Sequence, residues 1–197
     1  MSKSELIAAE GLVLPQRRSF LTFTGQVGLS AVAVALLAGC ESLASSKSAG
    51  AASAAADVDI LNTALGAEQE AIAAYQVGAE SGLLKKPVLA LAVTFQGHHK
   101  EHADLLAKTV TQLGGTPVQP MAKYDFPVAK LKSQADVLKF AADLEQGAVS
   151  AYLGAIPLFE NRDLAKAAGS ILGDEAMHWA VLRNALGLPP VPGAFVS

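Results

Sequence analysis

Apolar residues recur at helical spacing in two related segments of the chain. Residues 68–75 read Glu-Gln-Glu-Ala-Ile-Ala-Ala-Tyr, and residues 145–152 read Glu-Gln-Gly-Ala-Val-Ser-Ala-Tyr, 77 positions later. At about 100° per residue, the matching apolar positions of each segment fall on one face. Each segment therefore predicts a helix whose apolar face contains a single acid, Glu68 or Glu145.

The wider pattern predicts four helices, at about 57–80, 87–113, 133–155 and 161–186. Their starts are indicated by capping or first-turn residues: Asp57 or Asp59, Pro87, Ser133 with Asp136, and Asn161 or Asp163. Their ends are indicated by Gly82, Gly114, Pro157 and Gly187. The short link after the first helix makes the first pair an antiparallel hairpin.

A long irregular stretch, residues 114–132, separates the second helix from the third and contains three prolines. At ~3.3 Å per residue it can reach along a helix of about 26 residues, each rising 1.5 Å. No stretch shows sustained strand alternation. The predicted fold is an all-α four-helix bundle of two antiparallel hairpins joined by a long crossover.

The first forty residues resemble an export signal. Arg17 and Arg18 precede an apolar run over residues 29–38, and the sequence Leu-Ala-Gly before Cys40 resembles a lipoprotein cleavage box. We predict a twin-arginine signal over residues 1–39 and lipidation of Cys40. A plain amino-terminal membrane anchor is the alternative. Residues 40–56, rich in Ser, Ala and Gly, predict a flexible tether, and residues 188–197 a Pro-rich tail.

Cleavage before Cys40 would leave 12 of the 15 Lys and Arg residues and 16 of the 18 Asp and Glu residues, a balance of −4. No basic cluster remains, which argues against nucleic-acid binding. Cys40 is the only cysteine, so the chain can form no internal disulfide.

The second and fourth predicted helices place histidines on or beside their apolar faces, where these side chains can reach Glu68 and Glu145 in the core. His99 and His102 flank the apolar face of the second helix, and His98 lies at its edge. On the fourth helix Glu175 and His178 share the apolar face. A buried carboxylate neutralises, pairs or binds a metal, so this distribution indicates a metal site in the core.

The stretch from about residue 57 to 187 resembles the ferritin-like superfamily, in its rubrerythrin-like and desiccation-related branch. The resemblance rests on Ala64-Leu65-x-x-Glu68, on His102-Ala-Asp-Leu-Leu with the later Leu113-Gly-Gly-Thr-Pro117, and on Glu175-x-x-His178. It implies metal ligands at five positions: Glu68, His102, Glu145, Glu175 and His178. It implies iron, or manganese or zinc, at one or two ions per chain.

The chain departs from the family pattern at His99, where the family has a glutamate. In the family the acids of the two Glu-x-x-His pairs bridge the metals, and neutral imidazole, with one lone pair, cannot bridge. Only Glu175 is left for that role. Imidazole also shifts preference towards Zn, Cu, Ni or Fe relative to Mn. We predict His99 as a sixth ligand; the alternative is a core histidine hydrogen-bonded to Glu68 or Glu175.

Tyr75 and Tyr152, each seven residues beyond its acid, are predicted to pack in the core, where a hydroxyl could donate to a ligand carboxylate. His98 is predicted beside the ligands or at the surface. Three functions remain open: a di-metal oxidase or peroxidase-like protein, a non-enzymatic bundle with a degenerate site, and a metal-storage shell, which a lipidated terminus disfavours. The expected location is the extracytoplasmic side of the cell envelope, where the protein is expected to act in stress protection. A homodimer is possible.

Overall fold

The computed structural model of the protein describes residues 40–196. The expected signal at residues 1–39, with Arg17 and Arg18, lies outside them. The described chain forms four α-helices and two short 3-10 turns, and it contains no strand. The helices are α1 (Cys40–Glu80), α2 (Lys86–Gln112), α3 (Gln134–Ala155) and α4 (Arg162–Ala185), with 3-10 turns at Val128–Lys130 and Ile156–Leu158. The prediction of an all-α four-helix bundle is confirmed.

Local signals set most of the helix boundaries. The Ser133 hydroxyl accepts a hydrogen bond from the Asp136 backbone N–H, and the Asn161 side chain accepts one from the Asp163 N–H. These bonds satisfy amide groups that have no partner inside α3 and α4. Gly82, after α1, has a φ of 71°, a left-handed conformation that stops a helix at little cost for glycine.

The crossover between α2 and α3 runs the length of the bundle along α1. Near its start the Asn62 amide donates to the Thr116 carbonyl at 3.1 Å, and its oxygen accepts from the Val118 N–H at 2.9 Å. At its far end the Lys85 N–H donates to the Gln134 side chain at 2.9 Å. Helix α3 therefore begins beside the end of α1 and runs parallel to α2, as the length of the crossover predicted.

The structure differs from the expected tether over residues 40–56, because α1 begins at Cys40. Alanine is the best helix former, and extending an existing helix requires no new nucleus. Asp57, expected as a cap of this helix, lies inside it. Its buried carboxylate accepts hydrogen bonds from the Glu160 and Asn161 N–H groups, at 2.9 and 3.1 Å. Asp57 therefore fixes the link before α4 to α1.

Two apolar clusters occupy the bundle on either side of a polar centre. The first consists of Leu61, Leu65, Ala103, Leu106, Val110, Tyr152, Ala168 and Ile171. The second consists of Tyr75, Phe95, Leu138, Ala141, Ala142, Trp179 and Leu182. Along every helix, the acids and histidines predicted as metal ligands lie between the residues of the two clusters. The apolar faces of the predicted helices place eight side chains in the core: Leu61, Ile72, Phe95, Leu106, Leu138, Val149, Ile171 and Leu182. Seven of them are buried, and Ile72 is partly buried.

Truncation of Leu106 tests the assigned face of α2. Leu106 is 5% exposed and its neighbour Leu105 is 47% exposed. We expect Leu106→Ala to lower the free energy of unfolding by about 2–5 kcal/mol, because it leaves a cavity in the first cluster. Leu105→Ala, the matched control, should cost less than about 0.5 kcal/mol. Urea denaturation measures both, and equal losses would mean that the α2 face is misassigned.

Candidate metal centre

The six side chains predicted as ligands converge between the two apolar clusters. Glu68, Glu145 and Glu175 come from α1, α3 and α4, and each is buried. His99 and His178 are also buried, and His102 is 14% exposed. Among the described side chains, the buried polar residues include no lysine or arginine that could neutralise these carboxylates.

One group of four donors joins α1, α2 and α4. It consists of Glu68, His99, His102 and Glu175, whose donor atoms lie within 4.8 Å of one another. His99 Nδ1 donates to Glu68 Oε2 at 2.8 Å. His102 Nδ1 lies 3.1 Å from Glu175 Oε1 and 3.6 Å from Glu68 Oε2. These are two carboxylates and two imidazoles, a donor set that suits Zn, Fe or Mn.

A second group of four donors joins α2, α3 and α4. It consists of His99, Glu145, Glu175 and His178, again within 4.8 Å. His178 Nδ1 lies 3.4 Å from Glu145 Oε1 and 3.4 Å from Glu175 Oε2. The two groups share His99 and Glu175. The centre therefore offers two adjacent, overlapping positions for a cation.

Four buried nitrogen and oxygen atoms at this centre have no hydrogen-bond partner: His102 Nδ1, His178 Nδ1, and both carboxylate oxygens of Glu175. A buried polar atom without a partner is costly, and native structures rarely contain several together. Both imidazole atoms lie beside Glu175 but are not aligned to donate to it. A cation at each of the two positions, with Glu175 shared between them, would satisfy all four atoms, so the residues present fit bound metal.

Two tyrosines support the acids across the helix pair. Tyr152 of α3 donates its hydroxyl hydrogen to Glu68 Oε1 of α1 at 2.6 Å. Tyr75 of α1 donates in the same way to Glu145 Oε1 of α3. The repeated sequence segments therefore meet with an approximate two-fold relation, in which each tyrosine serves the other segment's acid. The expected hydroxyl contact is present in both copies.

His99 lies at the middle of the centre and bridges two acids. Its Nδ1 donates to Glu68, and its Nε2 lies 3.3 Å from Glu145 Oε1. Burial alone would lower the pKa of His99, but hydrogen bonds to Glu145 and Glu68 raise that pKa to about 10. Without metal, His99 is therefore an imidazolium that pairs with two carboxylates. This geometry accommodates both the ligand interpretation and the core-histidine alternative.

The neighbouring groups have related pKa shifts. Burial would raise the pKa of Glu68 and of Glu145, but contacts with the histidines hold each below its usual value. Burial would lower the pKa of His102 and His178, but the acids raise both to about 9. Burial and the nearby carboxylates raise the pKa of both tyrosines, so their hydroxyls stay protonated as donors.

These shifts predict how the stability of the metal-free protein depends on pH. A histidine whose pKa is raised by folding contributes stability that is complete below its unfolded value of about 6.5. The contribution is lost as pH rises through the folded values, about 9 for His102 and His178 and about 10 for His99. We expect the melting temperature of the metal-free protein to fall between pH 6.5 and pH 10.

His99→Gln provides the control, because it removes the group with the largest rise in pKa. The decrease in melting temperature between pH 6.5 and pH 10 should be smaller in this variant than in wild type. It should also be smaller in wild type with saturating zinc, because the bound metal replaces the protons on the histidines. Thermal melts in a pH series measure all three. A flat profile in the metal-free wild type would contradict the imidazolium interpretation.

Asp174 is a functional candidate that sequence reasoning missed. Its Oδ2 lies 3.2 Å from His178 Nε2 and 3.5 Å from His102 Nε2, the ring nitrogens that face away from the inner acids. A carboxylate at this position fixes the orientation of a ligand imidazole. The available signal was the i, i+4 spacing of Asp174 and His178 on α4. His98, expected beside the ligands or at the surface, is 40% exposed and contacts Asp174.

A bundle of four helices with acids and imidazoles at its centre is the architecture of carboxylate-bridged metal proteins. Residues 56–188 match the family described as "Ferritin-like domain", and the chain belongs to that family. The superfamily named by the resemblance is therefore confirmed. No curated protein matches the chain.

Three solved structures show the same fold. A conserved hypothetical protein from Mycobacterium tuberculosis is 24% identical with a TM-score of 0.63, covering 73% of this chain and 99% of that one. A ferritin-like diiron-carboxylate protein from Bacillus anthracis is 20% identical, TM-score 0.59, with coverages of 68% and 97%. The Desulfovibrio desulfuricans bacterioferritin is 18% identical, TM-score 0.61, with coverages of 74% and 95%.

Proposed function

We propose that the protein binds one or two metal ions at the centre of its bundle, iron first, with manganese or zinc as alternatives. The observation that carries this proposal is Glu175. It belongs to both four-donor groups, it is fully buried, and neither of its oxygens has a hydrogen-bond partner. A buried carboxylate in that state is best explained as a ligand that bridges two cation positions.

The solved relatives support iron. The Bacillus anthracis structure is described as a diiron-carboxylate protein, and the Desulfovibrio desulfuricans structure as having a diiron site in different catalytic states. In this chain Glu68 and His102 would hold one ion and Glu145 and His178 the other, with Glu175 between them. Within the family, the motifs around Glu68 and His102 favour the rubrerythrin-like and desiccation-related branch.

Iron bound there would supply electrons to O₂ or a peroxide, which makes a di-metal oxidase or peroxidase-like activity the proposed chemistry. The chain's own groups set the conditions. Three carboxylates provide negative charge against the cations. Tyr75 and Tyr152 hold two of these acids in place, and Asp174 orients two imidazoles. The apolar clusters cover the centre towards both ends of the bundle, and their low polarity strengthens each of these interactions.

His99 favours one alternative, a non-enzymatic helical bundle with a degenerate site. Its charged ring contacts Glu68, Glu145 and Glu175 at 2.8, 3.3 and 3.5 Å, so a proton already partly neutralises the acids that a metal would bind. The bundle would then persist without metal. The choice depends on whether a metal displaces this proton.

Elemental analysis decides between the two functions. The full chain, purified without chelator, should contain one to two equivalents of iron, manganese or zinc. Reconstitution of the metal-free protein with Fe²⁺ should reach the same ratio. If both preparations hold less than about a tenth of an equivalent, the metal-site proposal fails and the structural module remains.

We propose that the protein is exported by the twin-arginine route, is lipidated at Cys40, and acts in envelope or oxidative stress protection. The export and lipidation proposals rest on the amino-terminal sequence. None of the helices in residues 40–196 has the length and apolar composition to cross a membrane. We expect Cys40→Ala to give uncleaved or soluble protein, and Arg17→Lys with Arg18→Lys to block export. Membrane fractionation and lipid labelling check both. Membrane retention of Cys40→Ala, with no lipid on wild type, would instead support a plain anchor.

A further inference from the structure

A further cluster of metal-binding side chains lies outside the inner centre, at the surface between α2 and α4. It consists of His98 from α2 with Asp174 and His178 from α4, whose donor atoms lie within 4.8 Å of one another. His98 and Asp174 are 40% and 23% exposed, whereas His178 is 2% exposed. The cluster is therefore open to solvent on one side and reaches the core through His178.

The three donor atoms form a closed triangle. His98 Nδ1 lies 3.0 Å from Asp174 Oδ2 and 2.9 Å from His178 Nε2, and the third edge, His178 Nε2 to Asp174 Oδ2, is 3.2 Å. Protons cannot satisfy all three edges with aligned hydrogen bonds. If both imidazoles donate to the carboxylate, two N–H groups oppose each other at 2.9 Å. If one imidazole instead accepts a hydrogen bond from the other, the accepting nitrogen carries no hydrogen and cannot donate to Asp174.

We propose that this outer cluster is a binding site for a divalent transition-metal ion, distinct from the inner centre. Two imidazoles and one carboxylate with an open position suit Zn²⁺, Fe²⁺ or Ni²⁺. Bonds of about 2.1 Å in tetrahedral geometry place ligand atoms about 3.4 Å apart. The observed 2.9 to 3.2 Å therefore need to expand by only a few tenths of an ångström. The exposed side of His98 leaves room for water as a fourth ligand.

His178 links the two sites. Its Nδ1 faces Glu145 and Glu175 of the inner centre, while its Nε2 faces His98 and Asp174. A neutral imidazole has one lone pair, so the ring serves one ion at a time. An ion held by Nδ1 inside must weaken binding at Nε2 outside, and the weakening is reciprocal. The outer site is therefore strongest when the inner centre is empty, as it is when metal first arrives.

Zinc calorimetry on the metal-free full chain tests the outer site. Wild type and His98→Ala are compared first, with Glu101→Ala as control, because Glu101 is exposed on the same helix. The comparison is repeated in a Glu175→Gln background, which removes the shared inner acid. We expect His98→Ala to lose one equivalent of Zn²⁺ in the Glu175→Gln background, where binding should be on the order of tenfold tighter than in wild type. Glu101→Ala should lose none.

The outcomes separate this site from the inner one. A loss in the Glu175→Gln background, with or without a loss in wild type, supports the outer site even if the inner centre takes no metal. A loss in wild type alone would assign His98 to the inner centre and overturn the proposal. Equal zinc content with and without His98 in both backgrounds would overturn it too, leaving a hydrogen-bonded cluster. Asp174→Asn replaces His98→Ala if thermal melts show that the latter does not fold.

Discussion

Replacing Glu175 by glutamine should abolish binuclear metal binding while leaving the bundle folded. The amide keeps the shape of the carboxylate but loses its charge and its ability to bridge two cations. At a metal concentration a hundred times the Kd, wild type should gain about 2.7 kcal/mol of stability per site. For a domain of this size that corresponds to a rise in melting temperature of roughly 5–10 °C. In a His98→Ala background, which removes the proposed outer site, the variant should show little of this rise and should hold less than one equivalent of metal.

Glu101→Gln is the matched control for this experiment. It makes the same chemical change on α2 at an exposed position. Its metal content and its metal-dependent rise in melting temperature should match those of wild type. Elemental analysis and paired melts with and without Fe²⁺ measure both quantities. If Glu175→Gln retains the wild-type metal ratio, Glu175 does not bridge and the assignment of two overlapping positions is wrong.

The helices could be predicted because their signals are local. Apolar periodicity identified the faces, and Ser133 and Asn161 mark helix starts through their own side chains. The start of α1 could not be found in this way, because alanine-rich sequence is typical of both helices and flexible segments. Asp57 shows a second limit. It has the sequence features of a cap, yet its partners are the backbone amides of residues 160 and 161, about a hundred positions away.

The burial of the acids and histidines at the candidate centre could be predicted because a polar residue in an apolar stripe is itself a local signal. The crossed pairing of Tyr75 with Glu145 and Tyr152 with Glu68 depends on how α1 and α3 align, which no single helix specifies. Asp174 was missed for a similar reason. It lies about 100° from Glu175 on α4 and so falls off the apolar stripe, but the packing of α2 brings His98 to it.

His99→Glu tests the one position at which the chain departs from its family. The metal-free variant should be strongly destabilised, because a fourth carboxylate replaces the imidazolium that pairs with Glu68 and Glu145. Breaking a buried pair of this kind costs about 3–5 kcal/mol. Like charges at short range also raise a carboxyl pKa, so stability should recover as the pH is lowered. Iron or manganese should restore the loss at neutral pH by neutralising the added charge.

The same variant should raise the metal content towards two ions per chain, because glutamate supplies the second bridge that imidazole cannot provide. Preference should shift towards iron and manganese and away from zinc. His99→Gln is the control, since it removes the imidazolium without adding a charge, and it should not gain metal. Stoichiometry and melting temperature, measured with and without Fe²⁺, decide the role of His99. If His99→Glu is destabilised equally with and without metal and gains none, His99 is a core histidine that holds the acids of a bundle without metal.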